Sequence, residues 1–583
     1  MDSTLDMARI QRRYQALRSE RSGWDTAWSA LAELFLPGRW RADTDESAHQ
    51  GPGLNSRLVN SAGVLAMRTL AAGMQGGMTS PVRPWFRLVL KNSGNRGDAG
   101  GEMGAWLDEV TGAMHAALHQ SNFYNAVHGL YADLGTFGTG LMVETADADG
   151  LSFHLVRAGD YVLDVNGRGE VDTFFRRIGM TARQIVDLWG DGGKVPPAIR
   201  EAAAANAGQG GITRFSVIHG VFPRADLAPG AALGPRAKPF ASVYFCEGPG
   251  GAGGEGGGPA VLSEGGFDMF PAFAPRWDLS AGAVYGRSPA MDVTPDCKML
   301  QAMTATMRRM QHKIADPPAV ADASLRQYGV DLDPGSLTFV DMATLAQAGN
   351  PVTPIQQPEP AALSFTMQGI RDVERVIQDG LYSDLFRMLL DDDRRQITAT
   401  EIQARQQEKM ILIGPVVERL HKELLEPLIA RTFALMREWG ALPEPPEGLT
   451  EGAAELDVSF ESVLAQAQKL TATSAIEQGL AFMAQSAQVN PDVLDLLDFD
   501  AMGRAYLERI GLPGACVRDE SDIADLRARR AEAQARAQRQ AEAQAAVQQM
   551  TDLSAAARNL GQTPAGADGR SLMDTLVGGL GAV

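Results

Sequence analysis

His115 and His119 stand one helical turn apart, a spacing at which two imidazoles can share one zinc ion. The residues between them are Ala116, Ala117 and Leu118, so the Glu that acts as base in an HExxH site is absent and two surface histidines are the better reading. Gly251, Gly253 and Gly256 spell GxGxxG. A dinucleotide loop must join a strand to a helix N-terminus, whereas here more glycine and Pro259 follow. No GxxxxGK cradle ending in Ser or Thr occurs, and GxSxG is missing too. Ser288, in GRSPA, precedes a proline and suits a turn or cap better than a nucleophile. Asp391, Asp392 and Asp393 are followed directly by Arg394 and Arg395, which reads as a charge-balanced, solvated loop rather than a cation site. Cys246, Cys297 and Cys516 form no CxxC pair, which gives neither zinc site nor disulfide framework and fits a reducing compartment. With no convergent catalytic set, the chain reads as no enzyme, without cofactor or metal.

The elements that would position these residues belong to a long chain. Its 583 residues exceed one compact domain, and 45% apolar with 21% charged residues is a globular composition. The net charge of −18 opposes wrapping of nucleic acid by clustered cations. No apolar leader or 18-residue apolar run appears, so a soluble chain is expected. One locally basic element stands out: Lys298, Arg308, Arg309 and Lys313 face only Asp296 on the helix that also carries Met299, Met303, Met307 and Met310. The methionines predict core packing or a subunit contact, and the cations a solvated face, with phosphate contact as the alternative.

Apolar spacing predicts helix over residues 4–34, 55–78 and 101–134. Strands are expected at WFRLVL, GLMVET and SFHLVRA, then as a hairpin DYVLDVN-GRG-EVDTFFRRI with positive φ at Asn166-Gly167. A short helix capped by Thr181 follows, then strands FSVIHGVFP and ASVYFCE before a flexible Gly tract at 248–258. Beyond Gly286 the chain turns mostly helical. Thr294 with Pro295 would cap a helix running to 315, and residues 316–361, with seven prolines and one Arg against six acids, read as an exposed insertion. Helix resumes over 362–386, and MLLDDDRRQI interrupts it. Thr398 to Glu401 form a capping box opening the longest helix, 398–439, kinked at Pro415 and Pro427. After strand-like ELDVSFES come helices at 462–486, 491–510 and 521–550, then a loose tail.

Several blocks in order resemble the head-to-tail connector, or portal, family of short-tailed double-stranded DNA phages. They are RYQALRSERSGWDTAWSALAELFLP, RTLAAGMQGGMTSPVRPWFRL, YGRSPAMDVTPDCKMLQ with the later DPP, and QITATEIQARQQEKMILIGPVVERLHKELLEPLI with LPEPP. The resemblance implies an α+β, predominantly helical portal fold with wing, stem, clip and crown, assembled as a ring of twelve around a DNA channel. The expected division is an α+β wing at 1–287, first stem helix 288–315, clip 316–361, second stem helix 362–386 and tunnel loop 387–397. A kinked wing helix at 398–450, a helical crown at 451–550 and a flexible tail at 551–583 complete it. Arg387, Asp391, Asp392, Asp393, Arg394, Arg395, Arg308, Arg309 and Lys313 become channel candidates on this resemblance. Asp331, Asp333 and Asp341 become clip docking candidates. The implied partners are further copies of the chain, the terminase motor, tail adaptor and tail proteins, capsid and scaffolding proteins, and double-stranded DNA in transit without sequence specificity, with no membrane. The implied place is the portal vertex of the virion, after assembly in the host cytoplasm. A helical scaffold or adaptor of virion assembly that forms no pore is the rival reading.

Overall fold

A computed structural model describes residues 6–40, 58–90, 102–147, 150–190, 195–209, 213–224, 237–246, 260–321, 326, 352–354, 360–390, 412–446, 456–460, 479–486, 496–510 and 520–562. Two compact units divide the chain: one of Met1–Val89, Asp108–Glu444 and Leu456–Gly511, the other of Leu90–Leu107, Pro445–Glu455 and Leu512–Val583.

Helix α1 (Met7–Phe35) is continuous and starts where Asp6 accepts the Arg9 N–H at 3.0 Å. Its buried stripe includes Ile10, Tyr14, Leu17, Trp28, Leu31 and Phe35, the helical spacing legible in the sequence. Helix α2 (Ala62–Met78) buries Gly63, Ala66 and Gly73, small residues that let neighbouring elements approach. Strand β1 (Phe86–Leu90) pairs with Leu456–Phe460, a non-local partner. The single helical stretch expected over 101–134 is two helices, α3 (Glu102–Gln120) and α4 (Phe123–Phe137). The break comes at Asn122, whose side chain exchanges two 2.7 Å hydrogen bonds with the backbone of Phe153 and so leaves the helical path.

Strands β2 (Leu141–Asp147) and β3 (Gly150–Val156) form an antiparallel hairpin. Next come β4 (Tyr161–Val165) and β5 (Val171–Thr181), then α5 (Ala182–Trp189) and α6 (Pro197–Gln209). Strands β6 (Arg214–Pro223), β7 (Phe240–Cys246) and β8 (Ala260–Phe267) complete a five-stranded antiparallel meander β4-β5-β6-β7-β8. Strand β9 (Ala272–Phe273) pairs with β2. Side chains alternate across the meander, so Phe175, Ile218 and Phe245 meet Ile10, Tyr14 and Leu17 of α1 on one face. Val217 and Cys246 meet Ile185 and Ile199 of α5 and α6 on the other. The Thr181 cap holds as expected, as a full capping box with Gln184. The β4–β5 turn differs from expectation: positive φ falls at Gly169 (81°). The Asn166 side-chain oxygen instead accepts the N–H groups of Arg168 and Glu170, at 2.8 and 3.1 Å.

In the second unit, Glu520–Gln562 is the longest helix among the described residues, and it carries the helix expected at 521–550 on through residues 551–562, where a loose tail was expected; residues 398–411 of the expected long helix lie outside the described residues. DLSAAARNLGQ lacks proline and carries three Ala and two Leu, which extends the helix from Glu520 through Gln562.

Candidate functional site

Helix α7 (Pro289–Ala315) begins nearly two turns earlier than the Thr294-Pro295 signal suggested. Ser288 is the cap: its hydroxyl accepts the Met291 N–H at 3.2 Å and donates to the Thr136 carbonyl at 2.8 Å. The second contact, across the fold, fixes the choice between two Ser/Thr-Pro pairs. Pro295 lies inside the helix, beside Thr294, whose hydroxyl donates to Ala290 O at 2.6 Å.

Strands β10 (Ala319–Ala321) and β11 (Val352–Pro354) pair antiparallel and close the base of the proline-rich insertion. Helix α8 (Pro360–Gly380) returns along α7. A methyl on Gly380 would stand 2.4 Å from Val293 Cγ1, and one on Gly369 would stand 3.1 Å from Met303 Cε. These glycines therefore set both the closeness and the antiparallel alignment of the hairpin. The helix expected to reach Phe386 breaks at Tyr382, the one described non-glycine residue with positive φ, 55°. A separate helix α9 (Ser383–Leu390) then packs on α2, where Gly73 leaves room for the Phe386 ring.

Residues 59–60 bind both helices. The Val59 and Asn60 N–H groups each donate to Gln301 Oε1 at 2.8 Å, and Gln301 Nε2 returns a 2.7 Å bond to Asn60 O. Asn60 Nδ2 donates to Glu374 Oε1 at 2.9 Å. Arg308, expected on the channel, donates to Val59 O at 3.0 Å although it is exposed. Arg309 and Lys313 are exposed on the same helix without an ion pair to another described residue. The methionines do not build the chain's own core: Met299 is 45% exposed, while Val293, Cys297, Leu300 and Thr304 form the buried stripe.

Arg387 stands in helix α9 rather than in a loop, because MLL continues the apolar helical spacing. Asp391, Asp392, Asp393, Arg394 and Arg395 lie outside the described residues, as do Asp331, Asp333, Asp341 and the Gly tract. Helix α10 spans 412–420 and α11 is Glu426–Glu438, joined by a π turn, His421–Leu425. Pro427 cannot supply the N–H that an α path would give Glu423 O, and the Glu426 N–H bonds His421 O instead. The interruption expected at Pro427 takes this form.

Charged residues that sequence reasoning did not single out clamp this helix. Glu423 takes hydrogen bonds from Arg276 N, Nε and Nη2 at 2.9, 3.1 and 2.7 Å. Arg431 Nε faces Glu144 at 3.3 Å, and Thr432 donates to the same carboxylate at 3.0 Å. Burial raises the Glu144 carboxyl to about 7 despite Arg431, and raises Asp133 to about 6 despite Arg39. Glu144 in the apolar GLMVET strand was the available signal, since a carboxylate there requires a partner. Among the described residues no cluster of His, Cys, Asp or Glu could hold a metal. His115 instead meets the Phe86 carbonyl at 3.2 Å, and His119 lies on the Tyr124 ring at 4.8 Å.

The arrangement presents a two-helix hairpin fixed to an α+β body. Comparison with known proteins matches residues 7–517 to the family described as bacteriophage head to tail connecting protein. The probable portal protein of Bordetella phage BPP-1 is 34% identical over 90% of this chain and 91% of its own. The portal protein of Salmonella phage epsilon15 is 32% identical over 91% of this chain and 92% of its own. A chain from the virion of a native gene transfer agent particle aligns over 78% of this chain and 89% of that one, at 10% identity and a TM-score of 0.32.

Proposed function

Because the chain belongs to the bacteriophage head to tail connecting protein family, we propose that it is one subunit of a dodecameric portal ring at a single capsid vertex, through which DNA is packaged and later ejected. The observation that carries this reading is the match across 7–517, together with portal relatives aligned over about nine-tenths of both chains. The hairpin α7–α8 serves as the stem around the channel, the insertion based on β10–β11 as the clip, and the α+β body as the wing. The long helix Glu520–Gln562 belongs to the crown. The clip docks the terminase motor during packaging and then the tail adaptor, while the wing meets capsid and scaffolding proteins in the host cytoplasm as the head assembles.

The acidic balance supports transit over capture. A wall of net negative charge holds DNA weakly, and weak holding lets a motor move it, whereas clustered cations would release counterions and retain it. Exposed Arg309 and Lys313, with Arg387, Arg394 and Arg395, would supply brief phosphate contacts. Among the described residues no helix is long and apolar enough to cross a membrane. The test is to assemble heads with and without this chain and measure nuclease-protected DNA. Protected DNA only when the chain is present is expected; equal protection without it would refute the assignment.

A further inference from the structure

The stem hairpin leaves large apolar groups uncovered: Phe365 is 82% exposed, Val376 52% and Met299 45%. Phe365, Asp372 and Asp379 recur every seven residues and, with Val376, form one exposed stripe on α8. On α7, Val293 and Met303 mark the side facing α8, as their contacts with Gly380 and Gly369 show. Lys298 is five residues from each, so it stands on the opposite side, and Arg309, three turns on, shares that edge. Arg371 and Arg375 stand on the side of α8 turned away from α7.

With the hairpins running along the ring axis, rotation about that axis keeps every residue at its own height, so neighbouring hairpins meet level with level. Contact edge to edge would set Lys298 and Arg309 against Arg371 and Arg375, like charge on like charge. The acidic, apolar stripe offers the opposite sign; within the chain Asp372 meets the exposed Arg375 at 3.3 Å, a solvent-exposed pair that a neighbouring Lys298 would extend into a three-charge cluster. Lys298 is midway between Val293 and Met303, hence level with residues 374–375, between Asp372 and Asp379. Arg309, six residues past Met303, is level with residue 363, within a turn of Phe365, whose ring face attracts a guanidinium.

We propose that the α7 edge carrying Lys298 and Arg309 docks on the Phe365, Asp372, Val376 and Asp379 stripe of the neighbouring copy of this chain. The proposal rests on the ring reading and adds which surfaces form the contact.

Two full-length variants test it, Lys298→Glu and the pair Asp372→Lys with Asp379→Lys. Each reverses one side of the contact, so each alone should fold, by circular dichroism, yet self-associate about tenfold more weakly in mass photometry. Mixed in equal amounts, they should regain rings. Alternating copies bring the reversed charge at position 298 of one variant against the reversed charges at positions 372 and 379 of the other, and the next junction keeps the native charges on both sides. Pairing within one chain cannot be rescued by mixing. Rings from either variant alone, or a mixture of folded variants that stays dissociated, would overturn the interface. Absence of rings from the unaltered chain would overturn the ring reading and this proposal with it.

Discussion

Replacing Gly73 with Ala tests the joint that holds α9 on α2. The added methyl would lie 2.1 Å from Phe386 Cγ, 2.3 Å from Cδ1 and 2.4 Å from Cβ. Ordinary carbon contacts fall at about 3.5–4 Å, so the helices must separate by on the order of 1.5 Å. Rotating the ring gives no escape, because Cβ itself is in the way. Overpacking of this kind costs about 1–3 kcal/mol, and Ala in place of a helical Gly returns about 1 kcal/mol. The expected net loss for Gly73→Ala is therefore about 0–2 kcal/mol. Phe386 is fully buried, and Phe386→Ala alone should cost about 3–5 kcal/mol by leaving a cavity. Combined, the new methyl enters the vacated space, so the double variant should be at least about 1 kcal/mol more stable than the sum of the singles. Urea unfolding of the unassembled chain, followed by tryptophan fluorescence, measures all members of the cycle. A Gly73→Ala chain more stable than the parent, or strict additivity, would refute the geometry.

Glu144→Gln should flatten the pH dependence of stability. The folded-state pKa, about 7, lies above the ordinary 4.5, so this group's contribution is full below about pH 4.5 and is lost as pH rises through 7. Thermal melts from about pH 5 to 8 should show the parent losing stability relative to the variant as pH rises; parallel curves would contradict it. Asp331→Asn, Asp333→Asn and Asp341→Asn together should leave rings intact and weaken binding to terminase or tail adaptor, most at low salt. Unchanged affinity for both would exclude these acids from docking. Arg394→Ala with Arg395→Ala should permit empty heads while lowering DNA content or retention, read by comparing DNA in purified heads; full, stable heads would remove these arginines from the channel.

Elements with a local cause were legible in the sequence. Thr181 and Gln184 three residues apart specify a capping box, and the β-branched and aromatic run FSVIHGVFP specifies a strand, whose two faces the structure buries against different helices. What depends on distant residues was not. Ser288 and Thr294 both precede proline, and only the Thr136 carbonyl decides between them. The periodicity of 362–386 runs on through Tyr382, and Gly380 is the one local signal for the break; beyond the turn Phe386 packs against Gly73, a contact with a residue more than 300 positions away in sequence. Arg276 and Glu423 are 147 residues apart, and each alone reads as an ordinary surface charge. The Met299 to Met310 series was correctly apolar but ambiguous between core and contact; the buried stripe beside it belongs to Val293, Cys297 and Leu300.

Electron microscopy of the purified chain tests the central claim most directly. The account predicts a closed ring of twelve copies with an axial opening, its wall formed by the helices 289–315 and 360–380. Single subunits at all concentrations, a solid particle, or a ring whose axis lies far from those two helices would contradict it.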